Sequence, residues 1–228
     1  MVLTSVHVEP DGRDLPAVRA AAAAGVPVVD VPEGALRKVL DLVTPQPVVA
    51  VATAPTTTLG DVVEAAVRQG APLLVLVELQ DPGNVGTLVR VAEASGCAGV
   101  VLTERSVDLL NPKTVRATAG SVFRVPVAQD VAVADVLAAC AAAGAPSLAT
   151  VVAGGTSLDD APLEGAVAVV LGNEAHGLDA TVRAGCSGTV TIPMAGAVES
   201  LNAAVAGAVV AFEASRRRRT TGSSGGTG

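Results

Sequence analysis

From Pro72 onward the chain alternates between short apolar runs and helix-like stretches, and the first run already limits the architecture. Leu73–Leu79 is apolar at every position except Glu78, as expected of a strand covered on both faces. Such a strand needs helices above and below it, which a parallel sheet with helical crossovers provides. The remaining segments follow this alternation. Helices are expected over Gly86–Ser95, Asn111–Ala119, Val133–Ala143, Leu178–Ala184 and Leu201–Ser215. Strands are expected over Gly99–Thr103, Val122–Val127, Ser147–Val152, Val167–Leu171 and Thr189–Ile192. The fold class is therefore α/β, with a mostly parallel sheet and helices on both faces.

Residues 1–53 form a smaller α/β segment of the same style. Strands are expected at Val2–Val8, Val26–Val31 and Val48–Ala52, and helices at Leu15–Ala24 and Glu33–Val43. Residues 54–71 read as a linker and a helix, with Thr58 as the N-cap of a helix running through Asp61–Arg68. The main body spans 72–215. Residues 216–228 are an arginine run followed by a Gly/Ser/Thr tail, expected to be disordered.

Composition excludes several classes. Aromatic residues are 1% of the chain against 50% hydrophobic, so the core must be built of Val, Ala and Leu. No run of 18 apolar residues spans a membrane, and no basic-then-apolar start resembles a leader, so the cytoplasm is expected. Cys97, Cys140 and Cys186 are an odd number without metal-ligand spacing, and they read as buried free thiols. With only His7 and His176, no metal site is expected. The net charge is −7, and setting aside the four arginines of 216–219 leaves 11 basic against 22 acidic residues. Such a balance runs against nucleic-acid binding unless local clusters or a dimer surface supply the contacts.

Three segments place polar residues where a strand hands over to a helix, the edge where open α/β sheets bind ligands. The first is Asp81-Pro82-Gly83-Asn84-Val85-Gly86 running on to Arg90. The second is Leu171-Gly172-Asn173-Glu174-Ala175-His176-Gly177. The third is Ile192-Pro193-Met194 running on to Glu199-Ser200-Leu201-Asn202. In the first, Pro82-Gly83 reads as a turn and Asn84 opens a helix. Arg90 could bind phosphate or stabilise a developing oxyanion, or simply pair with Glu93 or Asp81. Glu174 could orient a partner or cap a helix, His176 could be a base or a solvated turn residue, and Ser200 reads first as a helix cap. No dinucleotide or P-loop glycine pattern is present, and no Ser/His/Asp elbow.

As a set, the three segments resemble the motifs of the SpoU/TrmH family, the RNA 2′-O-ribose methyltransferases of the SPOUT superfamily. The resemblance covers residues 72–215 and includes Asn111-Pro112-Lys113 with Arg116-Ala117-Thr118-Ala119-Gly120. The stretch 1–53 is similar to the latter part of the ribosomal-protein-like RNA-binding domain that many members carry, its first strand and helix missing. The resemblance implies a C-terminal trefoil knot, S-adenosyl-L-methionine as cofactor, structured rRNA or tRNA as substrate, and a homodimer. It implies that Thr150, Gly172, Asn173, Ile192, Met194, Ser200, Leu201 and Asn202 hold the cofactor. It also implies that Arg90, Asn84, Glu174, Ser200 and Asn202 serve catalysis. Arg116, Arg124, Lys113 and Arg105 are the candidates for RNA phosphates. The alternatives are a non-catalytic RNA-binding and dimerisation module that keeps the knot, and a Rossmann-type small-molecule enzyme.

Overall fold

The computed structural model describes residues 2–40, 44–54, 56–173, 175–196 and 200–223. The chain divides into two units, Met1–Thr56 and Thr57–Gly228.

The first unit is a three-stranded sheet of β1 (Val2–Val8), β2 (Val28–Asp30) and β3 (Val48–Thr53), in the order β2-β1-β3. β1 runs parallel to β2 and antiparallel to β3. Helix α1 (Pro16–Ala23) lays Val18 and Ala21 against Val6 and Val8 to make a small core. Helix α2 (Ala35–Val39) is shorter than the expected Glu33–Val43. Gly34 in the left-handed region starts it and Leu40 is already extended, while residues 41–43 lie outside the described residues.

The second unit begins with α3 (Leu59–Gln69). Thr58 accepts a hydrogen bond from the Asp61 amide, and the Asp61 carboxylate accepts one from the Thr58 amide, a reciprocal cap. The helix expected within the linking stretch 54–71 is thus part of this unit, with Val62 and Ala66 fully buried. The strands are β4 (Leu73–Leu76), β5 (Gly99–Thr103), β6 (Val127–Val131), β7 (Ser147–Thr150), β8 (Thr156–Ser157), β9 (Ala168–Leu171) and β10 (Gly188–Thr191). They form one sheet in the order β6-β5-β4-β9-β7-β10-β8, and every pairing is parallel. The helices are α4 (Pro82–Ser95), α5 (Pro112–Ala117), α6 (Val133–Ala142), α7 (Ala180–Gly185) and α8 (Ala203–Ser223).

The alternation of side chains along β4 makes two cores from one strand. Leu74 and Leu76 pack with Leu88 and Val89 of α4 and with Val210 and Ala214 of α8. Leu73 and Val75 face the other way, onto Val62 and Ala66 of α3 and Val136 and Cys140 of α6. This matches the two-sided burial expected from the sequence of Leu73–Leu79.

Three local expectations need correction. Asp81 is the N-cap and Pro82 the first residue of α4, so Pro82-Gly83 is helix rather than turn. Pro126 has no amide to give, and β6 begins beyond it at Val127; Ser121–Phe123 is a 3-10 turn instead of a strand. The arginine run continues α8 to Ser223 rather than opening a disordered tail. Arginine favours helix, and each of the four is anchored. Arg216 and Arg217 donate to Glu213, Arg218 to the Gly96 carbonyl that ends α4, and Arg219 to the Ser215 hydroxyl. Arg217, its side chain only 12% exposed, also donates to the carbonyls of Ala161, Leu158 and Asp159 at 2.6–2.8 Å. Residues 224–228 lie outside the described residues.

Candidate active site

The carboxyl ends of β7, β9 and β10 are adjacent in the sheet, and the start of α8 lies beside them. Together they enclose a cleft of about 370 Å³. Thr150, Gly172, Asn173, Ile192, Met194, Ser200 and Leu201 line it, that is, every residue tied to the cofactor by resemblance except Asn202. Val151, Val152, Ala175, Gly177, Val190, Ala203 and Ala206 complete the wall and were not foreseen. Small or apolar residues near strand ends and at a helix start carry no signal that separates a ligand wall from a core. His176 also lines the cleft.

Gly172 is required by a close approach. A Cβ there would lie 2.3 Å from the Gly177 carbonyl carbon and 2.6 Å from both the Gly177 oxygen and the Leu178 nitrogen. The chain folds back on itself after β9, with the Gly177 amide donating to the Asn173 carbonyl at 2.8 Å. The Asn173 side chain ties this turn to the loop after β4. Its Nδ2 donates to the Glu78 carbonyl at 3.0 Å, and its Oδ1 accepts from the Ala175 amide at 2.8 Å. Glu78 is held in the left-handed region at φ 53°, where its amide donates to the Thr103 hydroxyl and its carboxylate pairs with Arg105.

Asn202 is the N-cap of α8, a role the sequence suggested for Ser200. Its Oδ1 accepts from the amides of Ala204 at 2.9 Å and Val205 at 3.3 Å. That leaves Nδ2 to reach Asn84 Oδ1 at 3.1 Å, joining residues 118 apart in sequence. Asn84 sits in the first turn of α4, its amide held by the Asp81 carboxylate at 2.7 Å. The first and third segments therefore meet at this amide pair. Ser200 is exposed at the cleft. Glu174 lies outside the described residues.

Arg90 is exposed on α4 and pairs with none of the described residues. Both carboxylates that were its ordinary partners are engaged elsewhere. Asp81 caps α4, and Glu93 receives two bonds from Arg124, one of them 3.0 Å. The Arg124 guanidinium, with help from the Ser121 hydroxyl, holds the Glu93 carboxyl down at about 2. Of the four candidates for RNA phosphates, Lys113 and Arg116 are exposed on α5 without a partner among the described residues. Arg124 and Arg105 already carry carboxylate partners.

The cysteines carry no chemistry. Burial pushes the thiols of Cys97 and Cys140 up to about 11, so neither offers a thiolate near neutral pH. Among the described residues no group of three His, Cys, Asp or Glu could hold a metal ion, and no helix is long and apolar enough to cross a membrane.

Comparison with known proteins places the chain in a family. The SpoU rRNA methylase family model matches residues 71–212. An uncharacterised tRNA/rRNA methyltransferase of Mycobacterium tuberculosis is 39% identical over 160 residues, 70% of this chain and 50% of that protein. The chain thus spans about half the length of the curated relatives it matches. An S-adenosylmethionine-bound rRNA methyltransferase from Sinorhizobium meliloti superposes with a TM-score of 0.83 at 30% identity, covering 94% of this chain and 80% of that one. A solved RNA 2′-O ribose methyltransferase superposes at 0.74 with 27% identity, covering 96% and 82%. The three segments, the sheet edge that gathers them and a family model covering most of the second unit converge: the chain belongs to the SpoU rRNA methylase family.

Proposed function

We propose that the chain transfers a methyl group from S-adenosyl-L-methionine to a ribose 2′-hydroxyl of a structured rRNA or tRNA. The observation that carries this reading is the joining of two half-sites by the Asn84–Asn202 bond. One half is the cleft at β7, β9 and β10; the other is α4 from Pro82 to Arg90, an arginine with no partner among the described residues.

The cleft suits the cofactor. Its walls, Leu171, Val190, Ile192, Leu201 and Ala206 among them, are apolar enough for an adenine, and Thr150, Asn173 and Ser200 bring polar groups. S-adenosylmethionine supplies a methyl carbon activated by its sulfonium. A ribose hydroxyl is a weak nucleophile, and it needs stabilisation of the charge that builds on its oxygen as it attacks. An arginine guanidinium is a fixed cation. Arg90 acts as that stabiliser and as an anchor for the adjoining phosphate, rather than as a base. Asn84, its orientation fixed by Asn202, positions the hydroxyl. Glu174 and Ser200 add hydrogen bonds.

The reading extends to the assembly. Val205, Val209 and Phe212 are all exposed and recur along one side of α8, with Leu201 exposed just before it. That stripe fits a second copy of the chain, and the homodimer would complete each site. The trefoil knot belongs to the same reading, as does a cytoplasmic location.

The test is to incubate the protein with total cellular RNA and methyl-labelled cofactor, beside calorimetry with the cofactor alone. Wild type should bind and transfer label to 2′-O positions. Arg90→Ala should bind the cofactor equally well yet transfer roughly 100- to 1000-fold less, the usual cost of one stabilising donor. No binding at millimolar cofactor would sink the methyltransferase reading. Binding without transfer to any RNA would favour the non-catalytic module.

A further inference from the structure

The chain holds only two aromatic residues, and the core uses neither. Phe123 is 53% exposed and Phe212 46%. Leaving a phenyl ring in water forgoes the burial that a Val/Ala/Leu core would welcome. The two rings have different surroundings. Phe212 belongs to the apolar stripe of α8. Phe123 belongs to the 3-10 turn that ends at Arg124.

Its turn is rigidly built. Ala119 and Gly120 both lie in the left-handed region, at φ 49° and 87°, which turns the chain sharply after α5. Ser121 is buried, and Arg124 grips the Glu93 carboxylate of α4. Phe123 lies between these two anchors, with its amide donating to the Gly120 carbonyl at 3.2 Å. Glu93 is one helical turn beyond Arg90 on α4, about 4.5 Å along the axis, so the two side chains share a face. α5 crosses the same helix one turn before Arg90, where the Gly86 backbone meets Ala117 and Thr114. Lys113 and Arg116 project from α5 exposed and unpaired among the described residues. In a chain of net charge −7, an exposed ring thus lies on the turn that follows the helix carrying Lys113 and Arg116, and that turn is tied to α4 one helical turn beyond Arg90.

We infer that Phe123 is a stacking platform for an unpaired RNA base near the target ribose, with Lys113 and Arg116 holding the flanking phosphates. Charge decides the occupant. A protein partner would bury the ring among apolar neighbours, as the α8 stripe is arranged to do, whereas a base offers a π-face to Phe123 and phosphates to the cations. The anchoring through Glu93 means that little ordering entropy is lost when the base stacks. This inference rests on the RNA reading above and assigns that substrate an unpaired base.

The test measures three things on the full chain: binding of a fluorescently labelled oligoadenylate, methyl transfer to total RNA, and sedimentation. Phe123→Ala should weaken oligoadenylate binding roughly tenfold or more and raise KM for RNA, with kcat and cofactor affinity held. Phe123→Tyr should restore binding, and Phe123→Leu, equally apolar but without a π-face, should not. Wild-type affinity in either Phe123→Ala or Phe123→Leu overturns the platform. So does a shift to a smaller species on sedimentation, which would hand the ring to a second copy of the chain. Absence of any transfer by wild type, with oligoadenylate binding still dependent on Phe123, would instead count against the methyltransferase reading and leave the platform standing.

Discussion

Replacing Gly172 by alanine should damage both the cleft and the fold, and the size of the effect follows from what the new methyl meets. The three nearest atoms are the Gly177 carbonyl carbon at 2.3 Å, its oxygen at 2.6 Å and the Leu178 nitrogen at 2.6 Å. All are backbone, so no rotamer change relieves the clash, and the turn after β9 must open. Overpacking of this kind costs about 1–3 kcal/mol, and the absence of any flexible side chain puts Gly172→Ala near the upper value. For a chain of this size each kcal/mol moves Tm by about 2–4 °C, giving a fall of roughly 6–12 °C. The opened turn is also a wall of the cleft, so affinity for S-adenosylmethionine should fall about tenfold or more.

Gly207→Ala is the matched control. Its methyl would lie 2.4 Å from Leu88 Cδ2 and 2.8 Å from Leu171 Cδ1, the far ends of side chains that can turn aside. An alanine inside α8 also gains about 1 kcal/mol of helix propensity, so its Tm should stay within about 4 °C of wild type. Thermal unfolding by circular dichroism and calorimetry with the cofactor read both quantities. The reasoning fails if Gly172→Ala melts and binds like wild type, or if Gly207→Ala is the more damaging of the two.

Two further changes probe polar groups away from the cleft. Thr114 is fully buried on α5 and its hydroxyl has no partner among the described residues. Thr114→Val keeps the shape and removes that desolvated group, so stability should rise by about 1 kcal/mol; a lower Tm would show that the hydroxyl is satisfied after all. The Glu213 carboxyl is held down at about 2 by Arg216 and then Arg217, against an ordinary 4.5. A depressed carboxyl contributes stability that is complete above its unfolded value and lost as pH falls through the folded one. The Tm advantage of wild type over Glu213→Gln should therefore persist above pH 4.5 and vanish between 4.5 and about 2. A difference unchanged down to pH 2 would mean that the ion pairs at the end of α8 do not stabilise it.

What the sequence made legible was whatever is written in local pattern. The two-sided burial of Leu73–Leu79, the Thr58 cap and the three strand-to-helix segments all depend on residues within one or two turns of each other. Errors arose where a distant group decided the outcome. The arginines of 216–219 look like a charged tail until Glu213, Gly96 and the carbonyls of Leu158, Asp159 and Ala161 are brought to them. Val122–Val127 has the alternation of a strand, but Arg124 is tied to Glu93 on α4 and Pro126 has no amide to give, so Ser121–Phe123 is a 3-10 turn. Asn202 took the capping role suggested for Ser200 because α8 starts at Ala203, and only the packing of that helix determines its start.

The same packing explains how two half-sites made from distant segments keep a fixed spacing. Asn202 lies five residues before Gly207 at the start of α8, about 7.5 Å along the helix axis. At Gly207 the helix backbone sits directly against Leu88 of α4 and Leu171 at the end of β9. Leu88 is in turn four residues beyond Asn84 and two before Arg90 on α4. The packing of α8 on α4 and β9, of which this contact is one point, sets the height of α8 relative to both the turn that walls the cleft and the helix that carries Arg90. The Asn84–Asn202 bond is the far end of that contact. The two proposed half-sites are tied together by helix-on-helix and helix-on-strand packing. In-line transfer demands such rigidity, since an error of about 1 Å between nucleophile and methyl carbon can cost on the order of 100-fold in rate.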